Sequence, residues 1–272
     1  MDNASLAHSL IGCLGLLAIA WVLSENRRAV PWRRVAIGFA LQLLLAALFL
    51  KVPLLQGALA AANQGLQALE RATQAGTALV FGYLGGAEAP FTVTNPNASF
   101  ILAFRALPLV VVVSALSALL FYWGILQHVV RGVSWLLQRS LRVTGATGVS
   151  VAANIFVGMV EAPLVIRPYL AKLTRSELFI VMTAGMASTA GTVMVLYASV
   201  IGPRVPGALG HILIASLMSA AAAIAISLIM VPPGQAQDSA EPYAPPRGAD
   251  SAMDAITRGT LGGMQLLLNI IA

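Results

Sequence analysis

The chain has 272 residues, of which 58% are hydrophobic and only 10% charged, and its mean hydropathy is +0.85. Those values exclude an ordinary soluble domain and describe a polypeptide that resides in a bilayer. The net charge of +6 comes from arginines scattered between apolar runs, so no basic face for nucleic acid is formed and the charge is read as membrane topology.

Taken from the N-terminus, apolar runs near the length that crosses about 30 Å of hydrocarbon recur along the chain. Residues 6–23 lack a basic lead and continue directly toward further spans, so they read as a retained first span rather than a cleaved leader. Cys13, the single cysteine, lies in this run and has no partner for a disulfide within the chain. Residues 35–50 form a second run, and 1–50 is taken as two transmembrane helices. Residues 54–84 are mildly apolar and carry Gln64, Gln67, Glu70, Arg71 and Gln74 along one side. That pattern suits a helix lying in the interface, and 51–99 reads as a periplasmic segment. A third run covers 100–130. Trp135 with Arg131, Arg139 and Arg142 then marks a short interfacial stretch, so 100–142 is a span followed by an interfacial helix. Residues 143–170 are apolar but interrupted by Gly158, Pro163 and Pro168. Runs at 178–201 and 208–231 give two further spans within 171–231, the first partly unwound. The Pro-rich, polar residues 232–255 read as a solvated cytoplasmic loop. Residues 256–272 are apolar and lack a basic anchor, and are expected to be the start of a truncated span in a longer protein.

Arginine placement orients these runs. If the first span leads inward, every Lys and Arg except Lys51, Arg71, Arg105 and Arg204 falls on the cytoplasmic side. This holds only if 143–170 enters and leaves on the same side, because basic clusters flank both of its ends. Charge placement therefore predicts a re-entrant helical hairpin with its tip near 154–161.

Glu161 is the only acid between Glu88 and Glu177. A carboxylate at membrane depth costs roughly 2.5–3.5 kcal/mol on insertion scales and is rarely there without a partner or a task. An apolar segment broken by Gly and Pro and carrying a lone acid reads as a substrate or ion site in a transporter. The competing reading is a Glu161 that snorkels to the interface beside Arg167. Asn154 can donate and accept hydrogen bonds, and carbonyls over 154–157 can coordinate a cation. In the next span Gly185, Ser188, Thr189, Gly191 and Thr192 permit local unwinding, although small residues and hydroxyls also serve as packing faces. Arg105 beside Pro108 either neutralises a buried acid or snorkels outward. The Gly82/Gly86 and Gly259/Gly263 pairs fit close helix packing. No HExxH, GxSxG or GxxxxGKS/T motif is present, and His8, His128 and His211 are widely spaced. An intramembrane enzyme using Glu161 is thus a minor alternative, and the chain is read as a non-enzyme.

The stretches ALPLVVVVSALSALLFYWGILQ, SVAANIFVGMVEAPLVIRPYL, LTRSELFIVMTAGMASTAGTVMVLYA and ILIASLMSA resemble the concentrative nucleoside transporter family, over nearly the whole chain and in the family's order. The resemblance implies an all-α, multi-span transporter built as an inverted repeat with re-entrant hairpins and unwound helices, of which this chain is the first part. It also implies a homotrimer in the inner membrane that imports nucleosides in symport with sodium or, in some members, protons. It calls for no cofactor beyond that coupling ion and for no partner beyond substrate and lipid. Carried over residue by residue, Glu161 would bond the ribose and Val193 would pack near the base. Asn154, Val157, Ser188 and Thr189 would form a sodium site, with the side chains of Asn154 and Ser188 and backbone oxygens. Most described members have Gln-Thr before the glutamate, where this chain has Met159-Val160. Losing the Gln donor and acceptor implies altered or relaxed base preference. A non-transporting truncated remnant is the alternative to a working symporter.

Overall fold

The computed structural model describes residues 3–92, 94, 100–159, 161–202, 204–234 and 249–272, with the side chains of 3–10, Glu161 and Leu164 outside that description. Val160 and most of the loop assigned to 232–255 also lie outside the described residues. Among the described residues the chain is all α, with twelve helices and two short 3-10 turns.

The long helices follow from runs of apolar residues without internal proline. Helices α1 (Asn3–Val22) and α2 (Trp32–Lys51) have 20 residues each, about 30 Å at 1.5 Å per residue. Helix α2 buries Val35, Gly38, Leu41 and Leu45, spaced three and four apart on one stripe. That stripe faces α11 (Ala208–Met230), whose Ala220, Ala221, Ala223 and Ala225 are buried. A Cβ on Gly38 would lie 2.8 Å from Cβ of Ala225, so the two backbones approach as only small residues allow. Helices α2 and α11, the stretch Leu102–Tyr122 and the stretch Arg175–Ile201 are each long and apolar enough to cross a membrane.

Helix α3 (Pro53–Phe81) starts at a proline in its first turn and buries only Leu66, Thr73 and Thr77. It ends at Gly82 (φ 59), and Gly86 (φ 113) closes the following 3-10 turn. These two glycines answer a left-handed backbone requirement, which corrects the expectation that they pack helices together. After α4 (Leu102–Arg105), Arg105 is half-buried with Nε unpartnered, near Gln74 against Gly86. It makes no ion pair with an acid among the described residues. On the facing helix Glu70 is also partly buried, and that burial pushes its carboxyl above the usual range.

Helix α5 (Leu107–Tyr122) ends at Trp123, and Gly124 (φ 81) opens α6 (Ile125–Leu141). The third run is therefore shorter than 100–130, because a left-handed glycine turns the chain at 124. Helix α6 buries Val130, Ser134, Leu137 and Leu141 and leaves Arg131, Trp135 and Arg139 outside. Helix α12 (Ala252–Ile271) begins four residues before the predicted span, because the Ser251 hydroxyl caps it by accepting the Asp254 N–H. The Asp250 N–H and the Arg258 guanidinium hold the Asp254 carboxyl below its usual range.

Helix α12 lies along α5 through Gly259 and Gly263. A Cβ on Gly263 would come within 2.8 Å of Val111 Cα and Ser114 Cβ, and one on Gly259 within 2.7 Å of Ser114 O. Gly263→Leu is therefore expected to overpack this contact at a cost of about 1–3 kcal/mol. Thermal unfolding in detergent reads the loss, and Gly262→Leu, which meets nothing within 4 Å, is the neutral control.

Three contacts mark one end of the bundle. Arg175 pairs with Glu25 at 2.6 Å, the Glu25 N–H donates to Met230 O, and the Ser176 hydroxyl donates to Val231 O. The C-terminal turn of α6 lies at the same end, since Leu141 packs against Gly38 of α2.

Candidate functional site

Helix α7 (Gly145–Asn154) leaves this end of the bundle and is buried from Thr147 to Asn154. It stops because the chain tightens after Asn154. The N–H groups of Phe156 and Val157 both turn back to Ala153 O, and Gly158 then adopts φ 123. The five-residue α8 (Glu161–Val165) resumes the helix, with the Ala162 N–H on Gly158 O. A 3-10 turn at Arg167–Lys172 returns the chain to Arg175.

A second interruption faces the first. Helix α9 (Arg175–Ala187) opens with a capping box between Thr174 and Glu177. It ends where Ser188 (φ −116, ψ 156) and Ala190 (φ −59, ψ 146) are extended, and α10 (Gly191–Ile201) begins at Gly191. The Gly191 N–H donates to Phe156 O at 3.1 Å, so the two breaks are bonded to one another.

Asn154 is the hub. Its Nδ2 donates to Ala184 O at 3.1 Å, Gly185 O at 3.3 Å and Ser188 Oγ at 2.5 Å. Ser188 Oγ donates in turn to Ala184 O at 3.2 Å. Helix ends leave their last carbonyls without an intrahelical donor, and the Asn154 amide supplies one for the end of α9. Asn154 is 2% exposed, and its Oδ1 is buried without a hydrogen-bond partner. A buried acceptor left in that state costs about 1–3 kcal/mol; amide and hydroxyl oxygens are hard donors suited to an alkali cation, and here the amide turns Nδ2 toward Ser188 and leaves Oδ1 open.

Beside the hub lies a cavity of about 670 Å³. Phe156, Val157, Val165 and Thr192 line it from the broken segments, and Ser114 and Arg258 from α5 and α12. Of the predicted residues, Asn154 and Ser188 touch directly, Val157 lines the cavity, and the Thr189 N–H donates to Ser216 Oγ at 3.3 Å. Met159 follows Gly158 and is 60% exposed, packing toward Gly185. Val193 is half-buried, and the adjacent Thr192 lines the cavity in its place. Glu161 opens α8; Val160, as noted, is outside the described residues. Sequence reasoning missed Ser216, which is buried on α11, and the carbonyl of Ala184; Phe156 O, one of the carbonyls expected over 154–157, accepts the Gly191 N–H. A hydroxyl within an apolar span usually bonds its own helix, so Ser216 carried no distinguishing signal.

Long apolar helices around two facing interruptions and a buried polar hub define an all-α, multi-pass membrane protein. The chain belongs to the concentrative nucleoside transporter family. The family model described as "Na+ dependent nucleoside transporter N-terminus" matches residues 11–84, and one described as "Nucleoside recognition" matches residues 103–204. An uncharacterized transporter of Haemophilus influenzae is 38% identical, over 98% of this chain and 61% of its own length. The nucleoside permease NupC of Helicobacter pylori is 34% identical, over 96% of this chain and 60% of its own. The sodium/nucleoside cotransporter 1 of Oryctolagus cuniculus is 33% identical, over 100% and 40%. The solved structure of CNTnw in an inward-facing substrate-bound state superimposes with a TM-score of 0.82 at 35% identity, covering 97% of this chain and 61% of that one. The chain thus spans about three fifths of the length of its bacterial relatives. The family consists of transporters, not enzymes, and the intramembrane-enzyme alternative falls away.

Proposed function

We propose that this chain forms part of a cation-coupled symporter that imports nucleosides across the inner membrane. The observation that carries the reading is the buried, unpartnered Oδ1 of Asn154 where two helix breaks meet. Helix α7 has 10 residues, about 15 Å, which is half of a hydrocarbon layer of about 30 Å. Segment 143–170 leaves and rejoins the bundle at the end marked by Glu25–Arg175, which supports its reading as a re-entrant hairpin with Asn154 near mid-membrane.

In this reading Asn154 Oδ1, Ser188 Oγ and backbone oxygens of Val157 and Thr189 hold the coupling cation. Amide, hydroxyl and carbonyl oxygens do not titrate near neutral pH, so these donors favour sodium. A proton would need Glu161. The nucleoside sits beyond the hairpin tip, with the Glu161 carboxylate accepting from ribose hydroxyls and Met159, Val160 and Val193 facing the base. Met159 offers a soft apolar surface without a hydrogen-bonding edge, so base discrimination is relaxed. Coupling follows from shared backbone. A cation that ties 154–157 to 188–189 also fixes the positions of 159–161 and 193, and linkage makes each ligand raise the affinity of the other. The inverted repeat, the homotrimer and the assignment of 1–50, 51–99, 100–142 and 171–231 to membrane and interface belong to the same proposal.

Uptake of labelled uridine and adenosine by the full-length protein in vesicles, under a sodium or a choline gradient, tests it. Sodium-driven uptake of both is expected. Glu161→Gln should weaken apparent nucleoside affinity about tenfold or more, since a hydrogen bond to a charged group contributes about 1.5–3 kcal/mol. Unchanged uptake by that variant would remove Glu161 from the site, and no nucleoside uptake under any gradient would refute the function.

A further inference from the structure

We infer that the C-terminal half of α6, with the start of α2, is a binding surface for anionic phospholipid headgroups. Arg131, Trp135, Arg139 and Arg142 are spaced four, four and three residues apart, and all four are exposed along one outward stripe of the helix. The opposite stripe, from Val130 to Leu141, is buried. Trp135 is 65% exposed. The guanidinium groups of Arg131, Arg139 and Arg142 have no hydrogen-bond or ion-pair partner among the described residues. The acids at this end are already engaged, Glu25 by Arg175 and Glu177 by Thr174.

Leu141 packs against Gly38, so the last turn of α6 lies about one helical turn from Arg34 along α2. Arg33 and the 53% exposed Trp32 stand exposed in the same first turn of α2. Arginines supply positive charge matched to phosphate, and an exposed tryptophan at each edge places an amphipathic ring at headgroup depth. The positive-inside pattern puts this end in the cytoplasmic leaflet, where anionic lipids attract such clusters.

A second observation is independent of charge. Arg142 caps α6 at φ 53, ψ 45, the lone non-glycine residue with positive φ among the described residues. Glycine is the residue helices favour at that position, because a Cβ there is strained. Retaining arginine at a strained cap points to a use for its side chain. The inference stands whether or not the protein transports nucleosides, because neither the hub nor the cavity takes part in it.

Native mass spectrometry of the full chain, titrated separately with phosphatidylglycerol and phosphatidylcholine, tests it. Preferential retention of phosphatidylglycerol is expected, weakened about fivefold for each arginine removed in Arg139→Gln and Arg142→Gly. Arg142→Gly relieves the strained cap, so circular dichroism should show full helix content while lipid retention falls. Arg71→Gln, at a distant site, should leave retention unchanged. Equal retention of the two lipids, or undiminished phosphatidylglycerol binding by the Arg139→Gln/Arg142→Gly variant, overturns the inference. Displacement of the lipid by inorganic phosphate at matched concentration does so as well, by assigning the patch to free anions.

Discussion

Asn154→Leu is expected to abolish sodium stimulation of nucleoside binding and to lower the unfolding temperature of the protein in detergent. Leucine keeps the branched shape but its methyl groups are bulkier than the amide, so overpacking adds to the loss of polar chemistry. The change strips the Nδ2 donor from the carbonyls of Ala184 and Gly185, which sit at the end of α9 where no further turn supplies an N–H. Gly185 O is left unmet, at a cost of about 1–3 kcal/mol, while Ala184 O keeps a donor in the Ser188 hydroxyl. Ser188 Oγ retains its bond to Ala184 O, so that side chain is not set adrift. The same substitution deletes Oδ1, the acceptor proposed to face the cation. Stability and coupling should therefore fall together here. Ser216→Ala, which removes only the acceptor for the Thr189 N–H, should cost less and retain a sodium response.

Gly191→Ala is expected to have the next largest effect, for a steric reason. An added Cβ would stand 2.4 Å from the carbonyl oxygen of Phe156 and 3.3 Å from its carbon. These are backbone atoms that cannot rotate away, so either α10 or the turn after α7 must move. The Gly191 N–H to Phe156 O bond breaks with that movement. The expected cost is about 1–3 kcal/mol of stability, as for other overpacked contacts. In binding measurements the two breaks should uncouple, so that residual nucleoside affinity no longer rises with sodium. Gly185→Ala provides the comparison, because its Cβ would meet Met159 Cβ at an ordinary 3.5 Å. A sodium response preserved in Gly191→Ala would mean that the contact between the breaks does not transmit coupling.

The legible parts of this molecule were those governed by local rules. Apolar runs gave the long helices, Gly158 and the prolines gave the interruption after α7, and the hydroxyl-rich GMASTAG stretch gave the interruption at Ser188–Ala190. The pairing of Asn154 with Ser188 came from family resemblance; nothing in the spacing of residues 34 apart announces a contact. Glycine meant different things at different places. Gly259 and Gly263 do pack α12 on α5, whereas Gly82 and Gly86, with the same spacing, serve a turn with positive φ. Composition could not separate these cases, since the distinction depends on whether the flanking helix continues. Gly124 hid the end of α5 in the same way, because an uninterrupted apolar run masked a left-handed turn. Backbone acceptors away from the expected break, such as Ala184 O, were beyond sequence reading, since every residue has one.

Calorimetric titration of nucleoside into the full-length protein, in sodium and in choline at two pH values, addresses the proposed cation site most directly. Affinity should rise with sodium at both pH values in the wild type, and Asn154→Leu should bind equally weakly in either salt. An affinity that tracks pH and ignores sodium, or a sodium response that survives loss of the Asn154 amide, would contradict the assignment.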